Sequence, residues 1–308
     1  MINYIIRRLV MSVFLALALV AIIFFMLRTI VPGDPVLLLA GERATPEMIE
    51  QIRSNLGLDK PLYVQFWIFL RNLVQGDLGN SIMTRQPVVD RVMMAYPVTI
   101  RLTIVCFIYT MTLGVVVGVI TAYWHDTWLD NVMRIITVTG ASMPTFWFGL
   151  MLILLFAVWL GVLPVQGDTK TARGIVLPVI TLGTGSAAFL ARLVRGAMLE
   201  VLNSDYVRTA RAKGLIEVWV VLKHALRNAL IPIITVAGFQ IGGLLGGAVV
   251  TENIFGLAGM GNLTLSSIFN RDYPVIQGTV LFIAFTYLFV NLFVDVMYAY
   301  VDPRIRYD

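Results

Sequence analysis

Six stretches of this chain carry no charged residue: Leu9–Leu27, Leu102–Trp124, Ile135–Gly167, Gly174–Ala191, Asn228–Thr251 and Tyr273–Val294. Each runs for at least 18 residues, and about 20 residues of helix cross a ~30 Å hydrocarbon core. Open strands leave backbone groups unsatisfied in that core, so the pattern predicts an all-α integral membrane protein with six transmembrane helices. The long Ile135–Gly167 run reads as one helix with irregular flanks, at Pro144 and at Gly161-Val162-Leu163-Pro164. Arg7-Arg8 before Leu9–Leu27 has the polarity of a cleavable signal. The run is too long for one, however, and no A-x-A-like site follows, so residues 1–29 read as the N-terminus and an uncleaved first span.

Between the first two spans lies a polar insertion, residues 30–98, predicted to be helical. Thr45-Pro46-Glu47 supplies an N-cap, a first-turn proline and a first-turn acid, with Gly57 as the stop. A second helix starts near Asp59-Lys60-Pro61, sets Leu62, Phe66, Phe69, Leu70 and Leu73 at helical spacing, and ends at Gly76. The insertion is too small for an independent catalytic domain; it can roof the spans or meet a partner outside. Residues 99–308 form the core, with spans two to six and a polar island over 197–228.

Composition agrees with a membrane protein. The chain is 58% hydrophobic and 13% charged, against about a quarter charged in soluble domains. With the N-terminus inside, the short cytoplasmic segments hold twelve basic residues and the short outer loops three, Lys170, Arg173 and Arg271. Both termini are therefore expected in the cytoplasm, and the net charge of +5 is a topology signal. It does not point to nucleic acid, because the basic residues flank spans without interleaved aromatics.

Catalytic patterns are missing from the sequence. His125 and His224 lie far apart, Cys106 is the sole cysteine, and no HExxH, GxSxG or P-loop motif occurs. The chain is not expected to be an enzyme, nor to hold a cofactor or metal. Its 14 methionines scatter through apolar spans and read as packing residues. Intramembrane polar groups are costly and mark candidate function. Gln240 is placed to line a path, with Glu252-Asn253 at its outer mouth or capping the turn there. Asp295 lies in the last span and nominates Arg192 or Arg195 as a buried partner; a proton relay is the sharper alternative. Gly238, Gly242, Gly243, Gly246 and Gly247 on the fifth span allow close helix packing, or face a path or a moving interface.

The island from Arg192 to Arg227 carries seven basic residues against Glu200, Asp205 and Glu217. Inside it Tyr206–Gly214 reads as a short helix, with N-cap types at Asn203, Ser204 and Asp205 and a C′ glycine at Gly214. Nine residues make no stable helix alone, so it needs a groove. Tyr206, Ala210 and Gly214 share one side as an aromatic anchor followed by small residues, while Arg208, Arg211 and Lys213 surround the rim. A second helix, roughly Ile216–Asn228, feeds into the fifth span. The bland alternative is an ordinary positive-inside loop.

Asp205-Tyr206-Val207-Arg208-Thr209-Ala210-Arg211-Ala212-Lys213-Gly214 and His224-Ala225-Leu226-Arg227-Asn228-Ala229-Leu230-Ile231-Pro232 resemble the cytoplasmic coupling loop of binding-protein-dependent ABC importers, in the version of the dipeptide/oligopeptide/nickel permeases, which also carry glutathione. Pro32-Gly33-Asp34-Pro35, Leu56–Leu62, Gly76–Gly79, Pro97–Leu102, Arg271–Pro274 and Asp302–Tyr307 extend the likeness to that family's B-type inner-membrane subunit along the whole chain. In the general EAA-x3-G pattern, Arg208 and Thr209 stand where Glu and the first Ala belong. The resemblance implies a type I-like permease fold in the cytoplasmic membrane of a bacterium or archaeon. It also implies a homologous second permease subunit, two cytoplasmic ATPase subunits holding ATP and Mg, and an extracytoplasmic solute-binding protein. Tyr206, Arg208, Thr209, Ala210, Arg211, Lys213 and Gly214 are then the ATPase-coupling residues. The expected cargo is a di- or oligopeptide or a small peptide such as glutathione, with a nickel chelate or a proton-coupled secondary transporter as alternatives.

Overall fold

The computed structural model describes residues 2–29, 45–55 and 57–301. Its helices are α1 (Ile2–Thr29), α2 (Pro46–Asn55), α3 (Leu62–Val74), α4 (Val88–Tyr123), α5 (Trp128–Ser142), α6 (Thr145–Leu152), α7 (Ala172–Leu202), α8 (Asp205–Ala212), α9 (Glu217–Trp219), α10 (Leu226–Ile254), α11 (Met260–Phe269) and α12 (Tyr273–Val301). π-helical turns over Ile153–Trp159 prolong α6, and others over Val220–Ala225 join α9 to α10. Among the described residues no strand forms; Asn80 and Pro87 make an isolated bridge. The Pro32–Pro35 and Asp302–Tyr307 motifs lie outside the described residues.

Spans within α1, α4, α7 and α12 are long and apolar enough to cross a membrane, and α5 with α6 makes a fifth if the pair is one bent span. The remaining expected run falls on α10, 29 residues long. Two boundaries differ from the sequence reading. The third span is not one helix with irregular flanks: it breaks between Ser142 and Thr145 and turns by 107°. Pro144 is the cause, since a proline pushes the preceding residue out of the helical region, and Met143 sits at φ −74, ψ 130. Beside the break lies a shallow concavity of about 610 Å³ lined by Thr139, Ser142, Met143 and Trp147. The second span starts earlier than expected, because α4 begins at Val88 and runs through Pro97 for 36 residues. Burial of Val88, Val92 and Ala95 against Met260 and Val275 holds those first turns helical despite the proline.

The chain forms two compact units. One comprises Ile2–Val98 and Ala258–Phe289, the other Thr99–Leu257 and the chain from Val290 onward. In the first unit, α3 lays Phe66, Phe69, Leu70 and Leu73 against Val20, Ile23 and Leu281. Asp272, 1% exposed, accepts from the Ser81 hydroxyl and the Ile82 amide and pairs with Arg91 at 3.4 Å, tying the turn after α3 to the start of α12.

The second unit is built on α7. Leu190, Val194 and Met198 form a core with Ala122 of α4, Val221 and Ala225 of the π turns, and Ala229 and Ile233 of α10. Close approach of α4 depends on Gly118, where a β-carbon would stand 2.5 Å from Val194 Cβ and 2.7 Å from the Ala191 carbonyl oxygen. Asp130 of α5 is fully buried and salt-bridged to Arg195 of α7 at 2.6 Å.

Candidate functional site

α7 ends at Leu202, and the turn through Asn203 and Ser204 hands the chain to α8. The Ser204 hydroxyl donates to the Val201 carbonyl, and the Ser204 carbonyl accepts from the Val207 and Arg208 amides at 3.1 and 3.2 Å. Gly214 closes α8 with φ +74, the left-handed conformation that glycine adopts without a Cβ penalty. Its amide donates to the Arg211 carbonyl at 3.0 Å.

The groove that a helix this short needs is supplied by the chain itself. Val207 (0% exposed) and Ala210 (6%) pack against Val220 (0%), with Val201 beside them. The inward face is therefore Val207 and Ala210, not the Tyr206–Ala210–Gly214 side expected from spacing. Tyr206 is 44% exposed, and its hydroxyl accepts a 3.0 Å hydrogen bond from Asn228 Nδ2. The reason lies in residue type: Val207 is the aliphatic residue next to the small Ala210, while Tyr206 keeps its polar end outward.

Arg208, Thr209, Arg211 and Lys213 are exposed. Arg211 donates from Nη2 to Glu217 Oε1 at 2.8 Å and from Nε to both carboxylate oxygens at 3.2 Å, bracing α8 against the start of α9. Glu217 holds the Arg211 guanidinium above its ordinary pKa. Arg208 and Asp205 stand 3.7 Å apart with both side chains largely exposed, a pair worth little.

Two features were not read from the sequence. Half of the island's second helix, Val220–Ala225, is π-helical, within a helix that runs into α10 as its sequence suggested. No residue pattern announces that register shift, though π turns recur at functional sites. It matters mechanically: Val220 faces α8, while Val221 and Ala225 sit in the bundle core with Leu190 and Met198. A push on α8 thus reaches the core through adjacent residues. The other feature is an apolar patch beside α8, with Ile216 69%, Val218 63%, Trp219 59% and Leu222 53% exposed. The apolar run Leu215-Ile216 then Val218-Trp219, inside an otherwise charged island, was its available signal.

The residues proposed for a path are placed separately. Gln240 on α10 is half-buried and donates from Nε2 to the Ser186 carbonyl at 3.2 Å, joining α10 to α7. Glu252 is fully buried and accepts from the Thr99 hydroxyl at 2.5 Å, while Asn253 is exposed in the terminating turn, its carbonyl accepting from the Gly256 amide. Asp295 lies on α12, its side chain outside the described residues; Arg195, nominated as its partner, is committed to Asp130 instead. The glycines of α10 differ in their surroundings. Gly238 and Gly247 pack closely, on Val294 and Leu182, whereas a β-carbon added at Gly243 or Gly246 would meet nothing within 4 Å.

A basic helix braced against its own chain thus stands between α7 and α10, and the comparisons with known proteins give the family. Residues 114–307 match the family described as binding-protein-dependent transport system inner membrane component, and residues 1–103 match its N-terminal membrane component. The chain belongs to this family of transport permeases. It is 45% identical over 307 residues, covering 100% of both chains, to the glutathione transport system permease protein GsiC of Escherichia coli O6:H1. The same-named protein of Escherichia coli strain K12 is 44% identical, again covering 100% of both chains. Among solved structures, the fold is similar to the inward-facing MetNI methionine ABC transporter, with a TM-score of 0.58 and 19% identity over 68% of this chain and 96% of that one. An amino acid ABC transporter solved with histidines gives 0.53 and 16% identity over 69% and 94%. The chain is thus an inner-membrane permease component of a binding-protein-dependent transport system, with the fold of ABC-transporter membrane subunits.

Proposed function

We propose that this permease imports a small peptide, glutathione or a short di- or oligopeptide, and that α8 is where cytoplasmic ATPase subunits grip it. The substrate class rests on the 44–45% identity with glutathione permeases over full length. The coupling role rests on one observation: α8 is clamped inward by Val207 and Ala210 while Tyr206, Arg208, Thr209, Arg211 and Lys213 remain exposed. A rigid, shallow, cationic helix that leads directly into the bundle core suits a partner that pushes.

In this reading two ATPase subunits hold ATP and Mg and perform the hydrolysis. A second homologous permease completes the path, and a solute-binding protein delivers cargo from outside. Both termini and α8 lie in the cytoplasm, as the basic-residue asymmetry favours. ATP-driven closure of the ATPases moves α8, and the spans rock between outward and inward openings. Gln240, Glu252, Asn253 and Asp295 are the polar residues proposed along or at the mouth of the path.

The test is uptake of labelled glutathione and of a labelled dipeptide into vesicles that carry the assembled transporter and enclose ATP. Uptake with ATP and no proton gradient, competed by the peptide of the accepted class, supports the proposal. Uptake by this chain alone on a proton gradient, with no ATPase subunit present, overturns it. A nickel chelate carried in preference to either peptide overturns the substrate assignment alone.

A further inference from the structure

Helix α3 has two apolar faces, and the protein covers one. Phe66 and Phe69 contact Phe24 of α1 at ring-centroid distances of 5.3 and 5.5 Å. Gln65, 8% exposed, accepts from the Arg28 guanidinium and donates to the Lys60 carbonyl at 2.7 Å. Arg28 itself lies over the Phe24 ring at 4.6 Å. These contacts pin α3 to the end of the α1 span, which closes at Arg28.

The opposite face carries Tyr63 and Trp67, each 67% exposed, Val74 at 82%, and exposed Arg71. They recur at i, i+4, i+8 and i+11, a single stripe along the helix. The stripe lies beside the end of a span whose own surface is mostly left for lipid. The α1 span has only 17% of its apolar window buried within the protein, and Ile22, Phe25 and Met26 face outward near its end. Phe25 stacks on Phe66 at 5.6 Å, so the outward side of α1 borders the covered face of α3, next in sequence to Trp67. The stripe is rich in residue types that settle at headgroup depth: tyrosine and tryptophan with one apolar and one polar end, and an arginine able to bury its stem while reaching phosphate. Helix α2 offers no such face, presenting exposed Glu47 and Glu50.

We propose that α3 is an interfacial membrane helix, lying in the phospholipid headgroup layer at the end of α1 with Tyr63, Trp67, Arg71 and Val74 turned to lipid. The insertion is then anchored to the bilayer as well as to the spans.

The experiment uses the assembled transporter in nanodiscs of phosphatidylethanolamine with phosphatidylglycerol, in a Cys106→Ser background. Nitroxide labels are placed singly at Trp67→Cys and Val74→Cys, with Asp59→Cys as an aqueous reference and Phe14→Cys as a bilayer reference. Collision rates with oxygen and with a water-soluble nickel chelate are read by electron paramagnetic resonance. The expected oxygen-to-chelate ratio at 67 and 74 is several-fold above that at 59 and below that at 14. A ratio equal to that at position 59 places α3 in water and overturns the proposal. Exclusion of both reagents at 67 and 74 also overturns it, since the face is then covered by another protein subunit. The label at 74 stands if loss of the Trp67 ring disturbs the helix.

Discussion

Arg195 on α7 donates from Nε and Nη2 to the two carboxylate oxygens of Asp130 on α5, at 2.9 and 2.6 Å. The carboxylate also accepts from the Asp126 amide at 3.1 Å and lies 3.7 Å from Arg134. A fork of this kind fixes orientation as well as separation, so the first half of the broken third span is locked to α7. The lock stands about two turns of α7 before that helix ends at Leu202.

Removing the carboxylate leaves the Arg195 guanidinium, 20% exposed, without its partner. Asp130→Ala is expected to cost ~3–5 kcal/mol, the usual penalty for breaking rather than replacing a buried pair. Asp130→Ala with Arg195→Leu should recover part of the loss. The measurement is the thermal midpoint of the detergent-purified transporter across the double-mutant cycle. Additive single-mutant losses would show that the pair carries no coupling.

Helix α8, in the coupling role proposed for it, is expected to fail in two different ways. Gly214→Asp forces a side chain into φ +74, costing ~1–2 kcal/mol at that residue. Ala210→Arg places a charge between α8 and Val220, which detaches the helix from the π turns. Both variants should insert in the membrane at normal abundance and lose transport while the ATPase subunits still hydrolyse ATP. Normal coupled import by either variant removes α8 from the transmission path.

How much of this was legible before the structure depends on which signals are local. Thr45-Pro46-Glu47 marked the start of α2, and the Thr45 hydroxyl accepts from the Met48 amide at 3.4 Å. Gly57, Gly76 and Gly214, read as helix stops, all take positive φ. Local chemistry fixes such ends. The 107° break at Pro144 was half-legible: the proline was visible, but whether a helix bends or breaks depends on what packs around it. The extra turns of α4 before Pro97 and the inward choice of Val207 over Tyr206 were set by tertiary burial, which periodicity does not reach. The Asp130–Arg195 pair spans 65 residues, and nothing in either local sequence names the other.

The Arg211–Glu217 brace is exposed, so its contribution to stability is small, on the order of 0.2–1 kcal/mol. Its value lies in geometry, because it sets the angle between α8 and α9. Glu217→Arg should lower ATP-dependent uptake several-fold with little change in thermal midpoint, and Arg211→Glu with Glu217→Arg should restore it. Failure of the swap to restore uptake would show that Arg211 acts on a partner subunit and not on Glu217. Raising the ionic strength should weaken the brace in the wild-type chain, as for any exposed pair.

Close helix contact and open helix face predict opposite responses to the same added methyl. At Gly118 a β-carbon meets both Val194 Cβ and the Ala191 carbonyl oxygen below 3 Å; neither a β-branched side chain held in the core nor a backbone carbonyl can step aside. Gly118→Ala is therefore expected to lower stability by ~1–3 kcal/mol through overpacking. At Gly243 and Gly246 the β-carbon has open space, and alanine in a helix interior gains up to about 1 kcal/mol over glycine. Gly243→Ala and Gly246→Ala should leave the thermal midpoint of the isolated chain unchanged or raised. If the same two substitutions reduce uptake, the open face of α10 meets cargo or the second permease, because its own chain does not fill it. A fall in midpoint for Gly246→Ala equal to that for Gly118→Ala would contradict the open space found at Gly246.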